Sequence, residues 1–318
     1  MTQRWGLTIP YDDLPLAQQQ ERMTALPDLG YTDVWSAEVD GVDGFTPLAL
    51  ASQWAPGLRL GCAIWPAFTR GPATMASCVA GLCEAAPGRV VVGVGSSSNV
   101  IVERWNGIAF DRPYQRTRDM VRFLRDALGG EKVKRAYDTF EVNGFRLARP
   151  VADPPKIVVA ALRSGMLKMA GREADGAILN WLAADDVPTV TKYVHDQGEG
   201  KEIVARIFVC PTDDADHARG VGRFAIGAYL NVPVYREFHR WLGRDELEPM
   251  WKAWEAGDRA AASAAIPESV IDQLLVWGSP ENCREHLQRY VDNGVHTPAL
   301  AILPFGGDPW EATKSLAP

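Results

Sequence analysis

The chain has 318 residues, 47% of them hydrophobic and 23% charged, with a net charge of −7 from 33 Lys and Arg against 40 Asp and Glu. That composition supports a sizeable core and excludes disorder, and an acidic total without a polybasic tract excludes nucleic acid and anionic membrane, leaving a small-molecule substrate as the expected partner. No stretch approaches the roughly 20 apolar residues of a transmembrane helix, and Cys62, Cys78, Cys83, Cys210 and Cys283 form no CxxC pair, so a cytoplasmic protein with no metal is expected.

"WGLTIP" (5–10) reads as a first strand, with a Leu, Ala and Gln-rich helix from Leu14 to about Leu26 behind it. The unit repeats. "TDVWSAEV" (32–39) precedes "FTPLALASQWA", "LRLGCAIWPA" (58–67) precedes "PATMASCVAGLCEAA", and "RVVVGVG" (89–95) precedes a helix whose Tyr114, Thr117, Val121, Leu124 and Leu128 recur at three and four residue steps. "KIVVAAL" (156–162), "DGAILNW" (175–181), "EIVARIFVC" (202–210) and "TPALAILPF" (297–305) complete eight strands. Short apolar strands alternating with helices predict a parallel sheet covered on both faces, and about eight such units predict a closed (β/α)8 TIM barrel spanning 1–318 as one domain.

Two insertions interrupt the alternation. Residues from about 131 to 155 contain Asn143-Gly144 between alternating segments, the signal of a tight hairpin turn, and predict a flap over a barrel mouth. Residues from about 213 to 277, with Trp241, Trp251 and Trp254 in polar helical sequence, predict two to four helices before the last strand.

The stretch "VVGVGSSSNVIVERWNG" (91–107) tests the dinucleotide fingerprint and fails it, because the third glycine position holds Ser98 and no acidic partner ends the next strand. What remains is a strand end presenting Gly95, Ser96, Ser97, Ser98 and Asn99 at a barrel's catalytic face, where glycine admits a ligand and hydroxyls can bond it; a serine-rich helix cap is the competing reading. In "AALRSGMLKMAG" (160–171), Ser164 and Gly165 stand where a strand gives way to a helix, with Arg163 and Lys168 nearby, an arrangement that can hold an anion or simply connect two elements.

Taken together, "TDVWSAEVDGVDGFTPLALA", "LGCAIWPAFTRGP", "GRVVVGVGSSSNVIVERWNG", "AALRSGMLKMAGREADGAILNW" and "GSPENCREHLQRYVDNGV" resemble, in order and over nearly the whole chain, the luciferase-like monooxygenase superfamily, in its branch of F420-dependent oxidoreductases. The resemblance implies hydride transfer between the deazaflavin coenzyme F420 and an organic substrate. Its alternatives are FMN in a two-component monooxygenase fed by a separate reductase, or an F420-binding protein without catalysis. It implies a homodimer, and a cis peptide at Ala63-Ile64 behind the ring. It also implies cofactor contacts from Glu38, Gly95 to Ser98, Arg163 to Gly165 as phosphate cradle, and Asn180. The chain departs from the family's Asp-His pair after strand two, having Glu38-Val39, so the family's histidine is not available as proton carrier.

Deazaflavin chemistry needs no covalent nucleophile, which suits a sequence without a G-x-S-x-G elbow or an H-E-x-x-H helix. Glu38 is the first candidate for proton transfer, set against a structural carboxylate bonded to backbone. Trp35, Trp65 and Trp181 lie in or at the end of strands and are candidate walls of an apolar substrate pocket. "DDADHAR" (213–219) reads as the acidic start of the helical insertion rather than a metal site, His195 and His286 as scaffold or surface, and His239 as part of the insertion.

Overall fold

The apolar runs become the staves of a closed parallel barrel in the computed structural model, which describes residues 2–303 and 307–318. The strands are β1 (Gly6–Thr8), β2 (Asp33–Ser36), β3 (Arg59–Cys62), β4 (Trp65–Pro66), β5 (Val90–Gly95), β6 (Val133–Ala136), β7 (Glu141–Phe145), β8 (Lys156–Ala160), β9 (Gly176–Asn180), β10 (Glu202–Cys210), β11 (Leu275–Trp277) and β12 (Thr297–Ile302). Parallel pairings run β1, β2, β3, β5, β8, β9, β10, β12 and back to β1, which closes eight strands with no free edge. The predicted end of the last strand at 304–305 lies outside the described residues.

Helices α1 (Gln20–Ala25), α2 (Thr46–Trp54), α3 (Pro72–Ala85), α4 (Pro113–Leu128), α5 (Ser164–Glu173) and α6 (Val187–His195) follow successive barrel strands. They pack on the outer face of the sheet in one continuous apolar layer that includes Leu48, Val79, Leu124, Leu167 and Val190. Between β10 and β12 stand α7 (Ala215–Tyr229), α8 (Pro233–Trp241), α9 (Glu248–Glu255), α10 (Arg259–Ala264) and α11 (Glu268–Leu274), then β11 and α12 (Pro280–Asp292); α13 (Pro309–Ser315) ends the chain. The insertion therefore holds five helices rather than two to four, because Gly243, Gly257 and Pro267 break its helical pattern into short pieces. These helices share a second core around Trp251, Ile226 and Ile271. Asp214 opens α7 by accepting a hydrogen bond from the His217 N–H at 3.0 Å, as the acidic run implied.

The barrel interior is built in tiers, since side chains alternate inward and outward along each strand. At the amino-terminal end Asp33, Arg59 and Glu202 form a buried ion network, with Arg59 Nη2 2.6 Å from Glu202 Oε1. Above it Trp35, Val91, Val158, Ile178, Val204 and Ala299 fill the barrel. Trp35 fits because β1 and β3 carry glycine beside it; a Cβ on Gly6 would stand 2.7 Å from Trp35 Cδ1, and one on Gly61 would overlap the ring. One inward step further along β1, β3, β8 and β10 come Thr8, Ala63, Ala160 and Arg206, the floor of the carboxyl-terminal mouth.

The hairpin β6–β7 is present, but Asn143-Gly144 is not its turn. The chain reverses at Asp138-Thr139, and Gly144, at φ +86°, sits where the register shifts between Val133 and Lys134. Glycine there serves a bulge, which needs the left-handed conformation as much as a tight turn does.

Candidate active site at the carboxyl-terminal mouth

Strand three is the first element shaped by the site. β3 pairs with β5 up to Gly61↔Val91, and the chain rejoins β5 at Trp65↔Val94, so four steps along one strand face three along the other. The extra residue is taken up at Ala63-Ile64, whose peptide bond is cis, as the resemblance implied. Both residues are partly open and pack against the barrel interior. The glycines of "VVGVG" make room for this bulge. A Cβ on Gly93 would coincide with the carbonyl oxygen of Cys62, and one on Gly95 would lie 3.0 Å from Ile64 Cγ1 and 2.9 Å from Ala160 Cβ.

Beyond Gly95 the serine segment turns across the mouth. Ser97 has φ +63°, a left-handed conformation that costs a non-glycine residue energy and gathers at functional sites. Ser98 Oγ accepts the Ile101 N–H at 3.3 Å, so this serine caps the turn Val100–Trp105, while Ser96 Oγ reaches only the Ser97 carbonyl at 3.4 Å. The capping reading holds for Ser98 and leaves Ser96 and Ser97, both partly exposed, without a capping role.

After β8, Arg163 precedes α5 in extended conformation, and Ser164 and Gly165 form the helix's first turn. Arg163 and Gly165 are exposed, and a Cβ on Gly165 would meet nothing within 4 Å. Open amide donors at a ten-residue helix start, with a flanking guanidinium, make a surface suited to a phosphate.

Glu38 lies two residues past β2, beside a cavity of about 240 Å³ that Thr69, Arg70, Ile101 and Asn106 also line. Its carboxylate is already engaged. Arg70 Nη1 stands 2.5 and 2.6 Å from its two oxygens, and the Gly44 N–H donates to Oε2 at 3.0 Å. Arg70 is the partner that sequence reasoning missed, for no spacing rule links a strand end to the loop after the next strand.

The opposite wall is aromatic and polar. Asn180 Nδ2 donates to the Tyr235 hydroxyl at 2.8 Å, and burial pushes that phenol up to about 12, so it stays protonated. Trp181, at φ +52°, stacks on Phe208 with centroids 4.1 Å apart. Of the three tryptophans, Trp35 fills the barrel below the floor and Trp65 is buried against Phe45 at 4.1 Å outside it, which leaves Trp181 at the rim, itself 2% exposed. His239 is wholly buried, and burial together with Arg244 holds its imidazole down to about 3. A second cavity, about 520 Å³, opens on the same barrel face beside Cys210, Thr212, His217 and Ile302.

Three half-buried residues at the mouth carry polar atoms shut from solvent and without hydrogen-bond partners: Thr8 Oγ1, Asn180 Oδ1 and Arg206 Nε. Buried side chains elsewhere, among them Trp65, His239 and Arg244, also hold unpaired nitrogens, but these three lie together on one face of the barrel, and such a group of unsatisfied polar atoms suits a ligand. Thr8 and Arg206 escaped sequence reasoning, although the run "EIVARIFVC" held the signal: Glu202, Val204 and Arg206 alternate, and an arginine on the inward face of an apolar strand requires a reason. Among the described residues, no group of three or more His, Cys, Asp or Glu is placed to hold a metal ion, and no helix is long and apolar enough to cross a membrane.

Comparison with known proteins agrees with this fold. The sequence profile of luciferase-like monooxygenases matches residues 3–297. A 5,10-methylenetetrahydromethanopterin reductase of Methanolobus tindarius is 25% identical over 297 residues, 90% of each chain. The solved coenzyme F420 dependent tetrahydromethanopterin reductase from Methanopyrus kandleri has the same fold, with a TM-score of 0.81 at 19% identity over 100% of this chain and 98% of that one. An F420-dependent secondary alcohol dehydrogenase, solved with an F420-acetone adduct, matches at a TM-score of 0.80 and 17% identity over 99% of this chain and 97% of its own.

Proposed function

Because the chain belongs to the luciferase-like monooxygenase family, we propose that it is an oxidoreductase that uses coenzyme F420 to exchange a hydride with an organic small molecule. The observation that carries this reading is the likeness to the methylenetetrahydromethanopterin reductase along nine tenths of both chains. When bound, the coenzyme supplies a ring carbon that gives or takes the hydride, and the protein supplies position, dryness and electrostatics.

The mouth has the features such a group needs. Ala63 and Ile64 offer an apolar shelf for one face of a flat ring, and Gly95 lets Ile64 and Ala160 pack closely beneath it. Ser96, Ser97 and Asn180 Oδ1 can bond its polar edge, while Arg163, Ser164 and Gly165 would take the phosphate. Glu38 is assigned to hold Arg70 and the Gly44 loop in place at the rim, since both carboxylate oxygens are committed there. Tyr235, protonated over the whole working range, fixes the Asn180 amide.

Titration with F420, followed by the coenzyme's fluorescence, is expected to show saturable binding at micromolar protein. Gly165→Leu should weaken that binding at least tenfold without changing the unfolding midpoint, because its side chain enters open space. Glu38→Gln should weaken it less. Binding of FMN in place of F420 would overturn the coenzyme assignment, and unchanged affinity in Gly165→Leu would remove the cradle.

A further inference from the structure

One side chain on the mouth's floor is left over by this reading. Arg206 points inward from β10, two residues past the core residue Val204. Its floor neighbours, Thr8, Ala63 and Ala160, are small. The guanidinium rises over the face of Phe208 at 5.0 Å. Among the described residues no Asp or Glu lies within ion-pair distance of it, and its Nε is shut from water without an acceptor.

Other arginines that reach inward are anchored. Arg59 is held by Asp33 and Glu202, Arg89 and Arg116 donate to backbone carbonyl oxygens, and the buried Arg244, though its Nε and Nη1 are left over, is fixed by Asp186 at 2.7 Å. A guanidinium stays charged at any accessible pH, has five donors and no acceptor, and is costly to desolvate without an anion. Arg206 is built like a binding group with its partner missing.

Position decides which partner. In the closed order β1, β2, β3, β5, β8, β9, β10, β12, strand β10 stands four strands from β3, directly across the barrel from Ala63-Ile64. If the ring rests on that shelf, as the proposed function has it, Arg206 faces the ring's open side, where the second reactant must lie. The wall above it is aromatic: Phe208 and Trp181 stack and are almost wholly buried, and the half-buried Tyr229 lies next to both.

We propose that Arg206 is a specificity-determining residue and that the substrate is an organic acid whose carboxylate it binds in the barrel mouth, with the acid's apolar body against the aromatic wall. The guanidinium fork matches a carboxylate in two parallel hydrogen bonds, and the Thr8 hydroxyl, in the neighbouring floor position, can add a third. Asn180 Oδ1, an acceptor, is left for an O–H or N–H of the bound molecules. This rests on the coenzyme reading only for which face of the ring the acid meets.

The test uses benzoate as probe and benzamide as its neutral isostere, with calorimetric titration of the full-length protein, alone and saturated with F420. Benzoate is expected to bind one per chain, benzamide at least tenfold more weakly, and Arg206→Gln to lose the difference while Arg206→Lys keeps part of it. Circular dichroism and the unfolding midpoint confirm that each variant is folded. Equal binding of benzoate and benzamide, or benzoate affinity unchanged in Arg206→Gln, overturns the proposal. So does a loss of F420 affinity in Arg206→Gln with no benzoate binding to the native protein, which would give the arginine to the coenzyme ring. If benzoate binds through Arg206 but F420 does not bind, the anion site stands and the coenzyme reading falls.

Discussion

Gly93 shows how a residue can be visible in the sequence while its reason is not. The pair Gly93 and Gly95 invites comparison with a nucleotide fingerprint, and Ser98 dismisses it, but neither says what the glycines are for. The structure does: both face the bulge at Ala63-Ile64, and the backbone of Cys62 occupies the space of a Gly93 side chain. Such a contact depends on a register slip between two strands 30 residues apart, which no local pattern encodes. Gly93→Ala is therefore expected to cost stability through overpacking, about 1–3 kcal/mol and toward the upper end because the obstacle is backbone rather than a movable side chain. Urea unfolding checks it. A variant as stable as the native protein would mean that the bulge relaxes freely, and the account of both glycines would fail.

At the scale of elements, strands were legible as short continuous apolar runs and helices as stripes apolar on one side, and the barrel followed from their alternation. The hairpin was legible in existence but not in detail. Its turn is held by a residue outside it: Asp119 on α4, 1% exposed, accepts the Thr139 N–H at 3.0 Å and the Thr139 hydroxyl at 2.9 Å, while Arg118 bonds its other oxygen at 2.7 Å. A polar residue among α4's buried positions was the only hint. Removing that carboxylate leaves a partly buried amide and hydroxyl without their acceptor, so Asp119→Ala should cost about 1–3 kcal/mol, with the loss concentrated in the hairpin. Hydrogen exchange reads this directly. The Thr139 amide should lose most of its protection while the amides of β8 and β9 keep theirs; uniform loss across the barrel would show that the hairpin is not a separable unit.

For the molecule as a whole, the mouth was legible as a location and only partly as a set of residues. Gly95, the serines, Ser164, Gly165 and Asn180 end strands or begin helices, so topology alone brings them to one face. Thr8 and Arg206 lie on inward strand positions whose alternation marks them only once the barrel is known, while Arg70 and Tyr235 arrive through packing of loop and insertion, which has no sequence period. The tryptophans Trp35 and Trp65 illustrate the converse, since a large ring at a strand's end can as easily fill the core as line a pocket.

Acid stability is a property of the whole fold and follows from its buried ionisable groups. His239 is neutral when folded, its imidazole held down to about 3 by burial and by Arg244, whereas in the unfolded chain it titrates near the ordinary value of about 6.5. Between those values the unfolded state binds the extra proton, so its contribution is fully present above about pH 6.5 and is lost progressively as pH falls toward 3. Glu202 acts further down. Burial pushes its carboxyl up, but the hydrogen bonds and charge of Arg59, with the Thr297 hydroxyl, prevail and hold it below its ordinary range, so its share fades only below about pH 4.5. Unfolding free energy measured in urea should accordingly fall between pH 7 and about pH 5.5, with about 1 kcal/mol of the fall due to His239. His286 and His296, also held down by burial, add to the native protein's decline but not to the difference made by removing His239. In His239→Gln the absolute stability should be lower at both pH values and the fall smaller by that 1 kcal/mol. An identical fall in the two proteins would show that His239 takes up its proton in the folded state, and the buried neutral imidazole would have to be abandoned.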